Sequence, residues 1–358
     1  MYRRVVVKIG TGVLSREDGT VDDSVLESIV GQITSLKKKS IEVVLVTSGA
    51  VGCGRGLMKA TTDSETVEDK QVFAAVGQVR LMQTYARLFE KRNVLCAQVL
   101  VTKEDFRDRG HYQNMRRCFL NLLRDGIVPI VNENDVIAIK ELVFTDNDEL
   151  AGLIAAQLEA DTLIILTSVD GVLDSSPRDP HAAVISRIDC AHIAEFHKRI
   201  TREKSSVGRG GMMTKFTVAR KLVSSGIAVH IANGRRGHIL ADIIMGRRVG
   251  TTFVPLSRKI SGVKRRLAYS EGLTAGTLVV NSCTSELLRS KDRVMSLLPI
   301  GITKVEGEFK KGDVVEIRDS QNAKLGFGVS SLDSEKVKVI AGAKGGKAVV
   351  HYDYLFIE

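Results

Sequence analysis

"GIVPIVNENDVI" occupies residues 126–137, and its character changes at a single point. Residues 127–131 form an unbroken apolar run of strand length, too uniformly apolar for a strand with one wet face. Asn132, Glu133, Asn134 and Asp135 follow at once. A second polar cluster, Asp146, Asn147, Asp148 and Glu149, then opens another apolar stretch. Carboxylates crowded in this way raise one another's pKa unless a cation or water lies between them. A buried strand ending in a polar cluster is the pattern of a parallel sheet that binds its ligand beyond the strand ends.

The rest of residues 1–254 extends this pattern. Apolar, β-branched runs predict strands at 4–9, 42–47, 94–101, 162–167 and 227–231. Between them, helical spacing predicts helices over 23–38, 72–92, 112–124, 148–158 and 212–224. In the first of these the apolar positions are Val25, Leu26, Ile29, Ile33 and Leu36. Alternation of this kind predicts an α/β fold, a mostly parallel sheet sandwiched by helices. Residues 255–274 are basic and weakly patterned and read as a linker. Short strands with glycine turns follow at 276–280, 301–306, 314–318, 324–329 and 348–351, a small, mainly-β second domain over 275–358. Lys310-Lys311-Gly312-Asp313 reads as a hairpin turn within it.

Composition narrows the function classes. The 358 residues suffice for two domains, and 44% hydrophobic with 26% charged content is that of a soluble globular protein. No apolar run approaches the roughly 20 residues of a membrane span. The opening residues have no signal-peptide apolar region and read as the first strand. The five cysteines form no C-x-x-C pair and suit neither a disulfide framework nor a zinc site, which points to a reducing cytoplasm. Cys53 reads as a small residue in a tight turn, or as a reactive thiol. The net charge of +10 is spread: 35 basic and 30 acidic residues in 1–254, five and one in 255–274, and 12 and 11 in 275–358. That distribution gives no phosphate-backbone track. The second domain has few aromatics for base stacking (Phe309, Phe327, Tyr352, Tyr354 and Phe356), so a structural or regulatory role is favoured over RNA binding.

Three Gly-rich segments follow strands: residues 8–14, 47–56 and 208–215. Glycines there allow backbone N–H groups to approach an anion, and a helix N-terminus adds a favourable dipole. The Walker A pattern fails, because Ala348 ends "KGGKA", and no segment satisfies the dinucleotide fingerprint. A nucleotide would need another loop system.

The motifs "VVVKIGTGVL", "VLVTSGAVGCG", "AAVGQVRLMQ", "IVPIVNENDVI", "FTDNDELAGLIA", "LTSVDGVLDSSPR" and "GRGGMMTK" occur in that order. Together they closely resemble the amino-acid kinase family, in particular its members that phosphorylate glutamate. The stretch "SLLPIGITKVEGEFKKGDVVEI" is similar to a PUA domain. The resemblance covers nearly the whole chain. It implies the amino-acid kinase fold followed by a PUA-like domain, and ATP-dependent phosphorylation of the γ-carboxylate of L-glutamate, the first step of proline synthesis. It also implies Mg²⁺ held through ATP phosphates and water, a homo-oligomer (dimer or tetramer), and proline as feedback inhibitor. Alternatives are another acidic acceptor, such as aspartate, or RNA binding through the PUA-like domain.

On this resemblance Lys8 and Lys215 are the candidates for charge neutralisation, and Asp148 orients them or meets Mg²⁺ through water. Ser48, Gly49, Ala50, Asn132, Asp135 and Asn147 take the amino-acid end of glutamate. Lys8, Gly10, Thr167, Ser168, Arg209, Gly210, Gly211, Met212, Met213, Thr214 and Lys215 take ATP, the amides of Gly10, Gly210 and Gly211 lining its phosphates. Arg209 stands where the family commonly has Thr, Ser168 where Asp is usual, and Gly12 where a small side chain is frequent. Asp146 and Glu149 also read as helix-terminus residues, with Asp146 or Thr145 the cap. A carboxylate nucleophile has a pKa near ~4.3 and is ionised at neutral pH, so no general base is required.

Overall fold

The computed structural model describes residues 2–16, 20–59, 66–137, 144, 146–175, 179, 181–193, 196, 211–255, 262–270, 272–290 and 295–357. The chain divides into two compact units, Met1–Lys103 with Arg116–Arg258, and Glu104–Met115 with Lys259–Glu358. The described strands are β1 (Arg4–Ile9), β2 (Glu42–Val46), β3 (Cys96–Val101), β4 (Val128–Glu133), β5 (Thr162–Thr167), β6 (Arg187–Asp189), β7 (Ala228–Asn233), β8 (Thr251–Val254), β9 (Gly276–Val280), β10 (Ile302–Gly307), β11 (Val314–Arg318), β12 (Lys324–Ser330) and β13 (Val350–Ile357). The described helices are α1 (Thr11–Leu14), α2 (Asp23–Lys38), α3 (Ala50–Met58), α4 (Val67–Glu90), α5 (Lys103–Arg107), α6 (Arg109–Arg124), α7 (Asn147–Gln157), α8 (Gly211–Ser224), α9 (Ile239–Ile244), α10 (Gly262–Ala268), α11 (Ser282–Arg289) and α12 (Ser334–Ile340). Among the described residues no helix is long and apolar enough to cross a membrane.

The first unit is built on an eight-stranded sheet in the order β3-β4-β2-β1-β5-β7-β8-β6. Every neighbouring pair is parallel except β7–β8. The expected mostly parallel sheet is therefore present, and its central strands are apolar on both faces because both are covered. Val5, Val7 and Ile9 of β1 share a core with Ile29 and Ile33 of α2 and Leu81 and Tyr85 of α4.

Helix α4 starts earlier than the apolar spacing indicates. Thr66 Oγ1 accepts the Asp69 N–H at 3.1 Å and the Asp69 carboxylate accepts the Thr66 N–H at 3.0 Å, a reciprocal cap. The segment read as a Gly-rich anion loop is mostly helix α3. Only Gly49 there needs a left-handed backbone, at φ +100°. A Cβ on Gly54 would lie 1.9 Å from the Phe73 carbonyl oxygen, and one on Gly77 1.8 Å from that of Ala50. Gly54 and Gly77 thus allow α3 and α4 to touch backbone to backbone, a packing role. Cys53 is buried in helix α3 and not in the tight turn expected, and burial pushes its thiol up to about 11, which disfavours the reactive-thiol reading.

The second unit has a five-stranded sheet, β10-β9-β11-β12-β13. The turn at Gly312 is real, with φ +98°, but it is not a hairpin: β9 lies between β10 and β11 and runs parallel to β11. Part of the stretch read as linker is ordered as α10, which buries Leu267 against Val314 and Phe327. Arg266 lies over the Tyr112 ring at 4.2 Å, within the same unit.

Candidate active site

The C-terminal ends of β1, β2, β4 and β5 lie side by side, with β1 flanked by β2 on one edge and β5 on the other. Chain connections reverse direction at such a point, leaving a crevice outside the strand ends. Most of the described candidate residues fall on these ends or on the helices that follow.

One group is charged. Lys8 is next to last in β1, and strand alternation sends it away from the core that takes Val7 and Ile9. Its Nζ lies 2.7 Å from Asp148 Oδ1, and Lys215 Nζ lies 2.8 Å from Asp148 Oδ2. Asp148 is 0% exposed and Lys8 5%, so two ammonium groups and one carboxylate share a nearly dry site. The cluster is left with one positive charge in excess, which an incoming anion would neutralise. Asp146 caps α7, accepting the N–H of Asp148 at 2.9 Å and of Glu149 at 3.2 Å. Its other oxygen accepts the Thr214 hydroxyl at 2.5 Å, tying the first turn of α7 to that of α8. Lys215 Nζ also donates to the Gly211 carbonyl at 3.0 Å. Met212 and Met213 are half-buried beside it.

The Gly10 amide does not line the site as expected. Its N–H is bonded to the Leu166 carbonyl at 3.0 Å. A Cβ on Gly10 would lie 3.3 Å from the same Leu166 oxygen, a tight contact, and 3.5 Å from Lys8 Nζ, an ordinary one. Thr167 ends β5 and Ser168 follows it, with Ser168 Oγ 3.6 Å from the position of a Gly12 Cβ. Arg209, Gly210 and the alternative cap Thr145 lie outside the described residues.

The other group is neutral. Asn147 Nδ2 donates to the Thr47 carbonyl at 2.7 Å, Asn132 Oδ1 at 3.0 Å and Ser48 Oγ at 3.1 Å. Asn132 Nδ2 donates to Gln78 Oε1 at 3.0 Å. Thr47 Oγ1 meets the buried Tyr85 hydroxyl at 2.8 Å. Sequence reading gave no role to Gln78 or Tyr85. Gln78 stands directly after Gly77, and a polar side chain beside a helix-contact glycine was the available signal.

Glu133 and Lys103 were also missed. Glu133 accepts the Phe144 N–H at 3.0 Å, and burial pushes its carboxyl up to about 7. The Phe144 amide and Lys103 oppose that shift, while Asp135 and Glu149 add to it. Lys103 pairs with Glu149 at 2.9 Å. Asp135 is half-buried and its carboxyl is raised, chiefly by burial.

Residues 3–233 match the amino acid kinase family and residues 276–351 the PUA domain. A glutamate 5-kinase of Bacteroides thetaiotaomicron is 44% identical across 100% of this chain and 99% of its own. A glutamate 5-kinase of Chlorobaculum tepidum is 48% identical across 100% of this chain and 98% of its own. Among solved structures, a carbamate kinase from Giardia lamblia bound to AMP-PNP has a TM-score of 0.53 at 16% identity, covering 71% of this chain and 99% of that one. A UMP kinase from Bacillus anthracis has a TM-score of 0.51 at 19% identity, covering 71% of this chain and 96% of that one. At such identities the two structures speak for the fold alone.

Proposed function

This chain belongs to the amino acid kinase family, and on that premise we propose that it transfers the γ-phosphoryl group of ATP to the γ-carboxylate of L-glutamate, giving γ-glutamyl 5-phosphate for proline synthesis. The observation that carries this reading is the meeting of Lys8 and Lys215 on the buried Asp148, immediately beside the Ser48–Asn147–Asn132 network.

A carboxylate oxygen of glutamate attacks the γ-phosphorus, one P–O bond forms, the bond to the β–γ bridging oxygen breaks, and ADP leaves. No proton moves, so the chemistry asks mainly for alignment and charge neutralisation. Lys8 and Lys215 supply the positive charge, and Asp148 holds the two amines at fixed positions. Both Asp148 oxygens are taken by lysines, so Mg²⁺ belongs on the nucleotide phosphates, meeting the protein through water. There the ion would add Lewis-acid neutralisation of the phosphates. Thr167, Ser168, Arg209, Gly210, Gly211, Met212, Met213 and Thr214 are assigned to the rest of ATP.

The neutral group suits the amino-acid end. Asn147 spends its N–H groups on the protein and offers Oδ1, an acceptor for an ammonium, with Asp135 as its charged partner. Ser48 Oγ already accepts from Asn147, so its own hydrogen can go to the α-carboxylate. The Gly49–Ala50 start of α3 adds a helix N-terminus for the same carboxylate. Proline carries the same two groups and enters this reading as a competing feedback ligand. Self-association belongs to it as well, supported by exposed Val72, Val76 and Val79 along α4. A cytoplasmic setting is supported by five free thiols.

The test is an assay with ATP, Mg²⁺, glutamate and hydroxylamine, which traps an acyl phosphate as its hydroxamate. Hydroxamate should require all three substrates and fall at least ~10-fold in kcat/KM with aspartate, one methylene shorter. No hydroxamate, or equal use of aspartate, would end the proposal.

A further inference from the structure

The first unit contains a cleft of about 590 Å³ to which neither Lys8 nor Lys215 contributes. Tyr2, just before β1, is part of its lining, so the cleft lies at the end of β1 opposite Lys8, roughly 20 Å along the strand direction. It also lies across the sheet from α8. Thr252 lines the cleft, whereas the next residue, Phe253, points to the other face and packs on Phe216 of α8 with ring centroids 5.3 Å apart.

Strand register builds the floor. His230 pairs with Thr252, and Thr252 with Arg187, so three side chains stand in one row on one face. His230 is 5% exposed and both of its ring nitrogens are engaged, Nε2 with the Tyr2 hydroxyl and Nδ1 with Thr252 Oγ1, each at 3.0 Å. Burial pushes the imidazole down to about 4, so the floor is neutral at pH 7. The charge comes from the walls. Arg187 pairs with Asp189 and Arg247 with Asp242, each at 2.8 Å, and both guanidinium groups stay well exposed. Arg248 has no ion pair among the described residues. Three guanidinium groups against two carboxylates leave an excess positive charge at the mouth, while Ile243 and Ile244 supply an apolar wall.

We infer that this cleft is a second, non-catalytic binding site for a small oxyanion, a carboxylate or phosphate carried on a compact metabolite of low net charge. Guanidinium forks match carboxylate and phosphate oxygens in paired hydrogen bonds, and the Ser186 hydroxyl, together with whichever of the Tyr2 and Thr252 hydroxyls accepts the single His230 N–H, completes the donor set. Arg187 and Arg247 can each turn an edge toward the ligand while holding the carboxylate with the other. The inference stands apart from the phosphoryl-transfer reading, since it uses none of the same residues.

The experiment uses the full chain with AMP-PNP and Mg²⁺ at saturation, so that the catalytic end is filled. Inorganic phosphate and succinate are titrated separately by calorimetry. At least one should bind, and Arg187→Ala and Arg248→Ala should each weaken it ~10-fold or more, the scale of a lost charge-assisted hydrogen bond. Lys8→Ala should leave that binding unchanged, and the two arginine variants should retain basal phosphoryl transfer. The stronger of the two ligands identifies the class. Crystals soaked in selenate should show an anomalous peak beside Arg187 and Arg248. The inference is overturned if neither anion binds, if binding survives Arg187→Ala/Arg248→Ala, if it disappears with Lys8→Ala, or if a second copy of the chain fills the cleft in solution.

Discussion

Asn147 and Asp148 are consecutive residues in the first turn of α7, yet they face two unlike neighbourhoods. Asp148 looks into a buried charge cluster with Lys8 of β1 and Lys215 of α8. Asn147 looks into a neutral network made by Thr47 and Ser48 just after β2 and by Asn132 near the end of β4. A helix turns its side chains by about 100° per residue, so one short element can serve both sides. The two kinds of force differ. Coulomb interactions in a dry site are large and grow as charge develops, whereas neutral hydrogen bonds contribute about 1 kcal/mol net and depend on direction. The charged side should therefore govern turnover and the neutral side the grip on the amino acid.

Substitutions can break that contrast. Lys8→Ala or Lys215→Ala should lower kcat by about 10³ or more while KM for glutamate moves only a few-fold, measured in steady state. Equal losses in KM would mean the lysines hold glutamate instead. Asn147→Ala should do the reverse, raising KM for glutamate by ~10-fold or more and sparing kcat within a few-fold. A loss of turnover as deep as that of Lys8→Ala would merge the two regions into one.

Gly77→Ala sharpens the contrast by acting from a distance. A methyl there would sit 1.8 Å from the Ala50 carbonyl oxygen, so α3 and α4 must separate, at a cost of roughly 3 kcal/mol in stability. Gln78 and the Ser48 loop would shift with them, so KM should rise in the folded fraction. A denaturant melt with wild-type midpoint would show that the helices do not touch there.

The smallest effect concerns pH. The folded-state pKa of Glu133, about 7, lies above its ordinary 4.5, so the folded chain holds this proton more tightly than the unfolded chain does. Below pH 4.5 the group is neutral in both states and costs nothing. As pH rises to 7 and beyond, the ionised form increasingly destabilises the fold. Glu133→Gln should therefore stabilise the protein by about 1–3 kcal/mol at pH 8 and by almost nothing at pH 4.5, in urea melts. A pH-independent difference would assign the effect to packing.

The sequence made some of this legible and hid the rest. Continuous apolar strands such as Ile127–Val131 announced a covered parallel sheet, and the family resemblance to amino acid kinases holds over the chain. Helix α3 was hidden because its three glycines lower helix propensity, and the contact with α4 that requires Gly54 cannot be read from local spacing. The false hairpin at Gly312 arose because a turn signal does not say which strands it joins. No spacing rule could bring residue 8 to residue 215. That pairing came from ordered motifs, while Gln78 and Glu133 lay within the same segments, and Lys103 well outside them, without a periodic signature.

The most direct test is a crystal structure of the full chain with AMP-PNP, Mg²⁺ and glutamate. The expected result has the Lys8 and Lys215 amines in hydrogen-bond contact with the phosphates, and the glutamate ammonium between Asp135 and Asn147 with its γ-carboxylate pointing at the γ-phosphate. A triphosphate bound away from both lysines, or glutamate bound with its α-carboxylate toward the γ-phosphate, would contradict it.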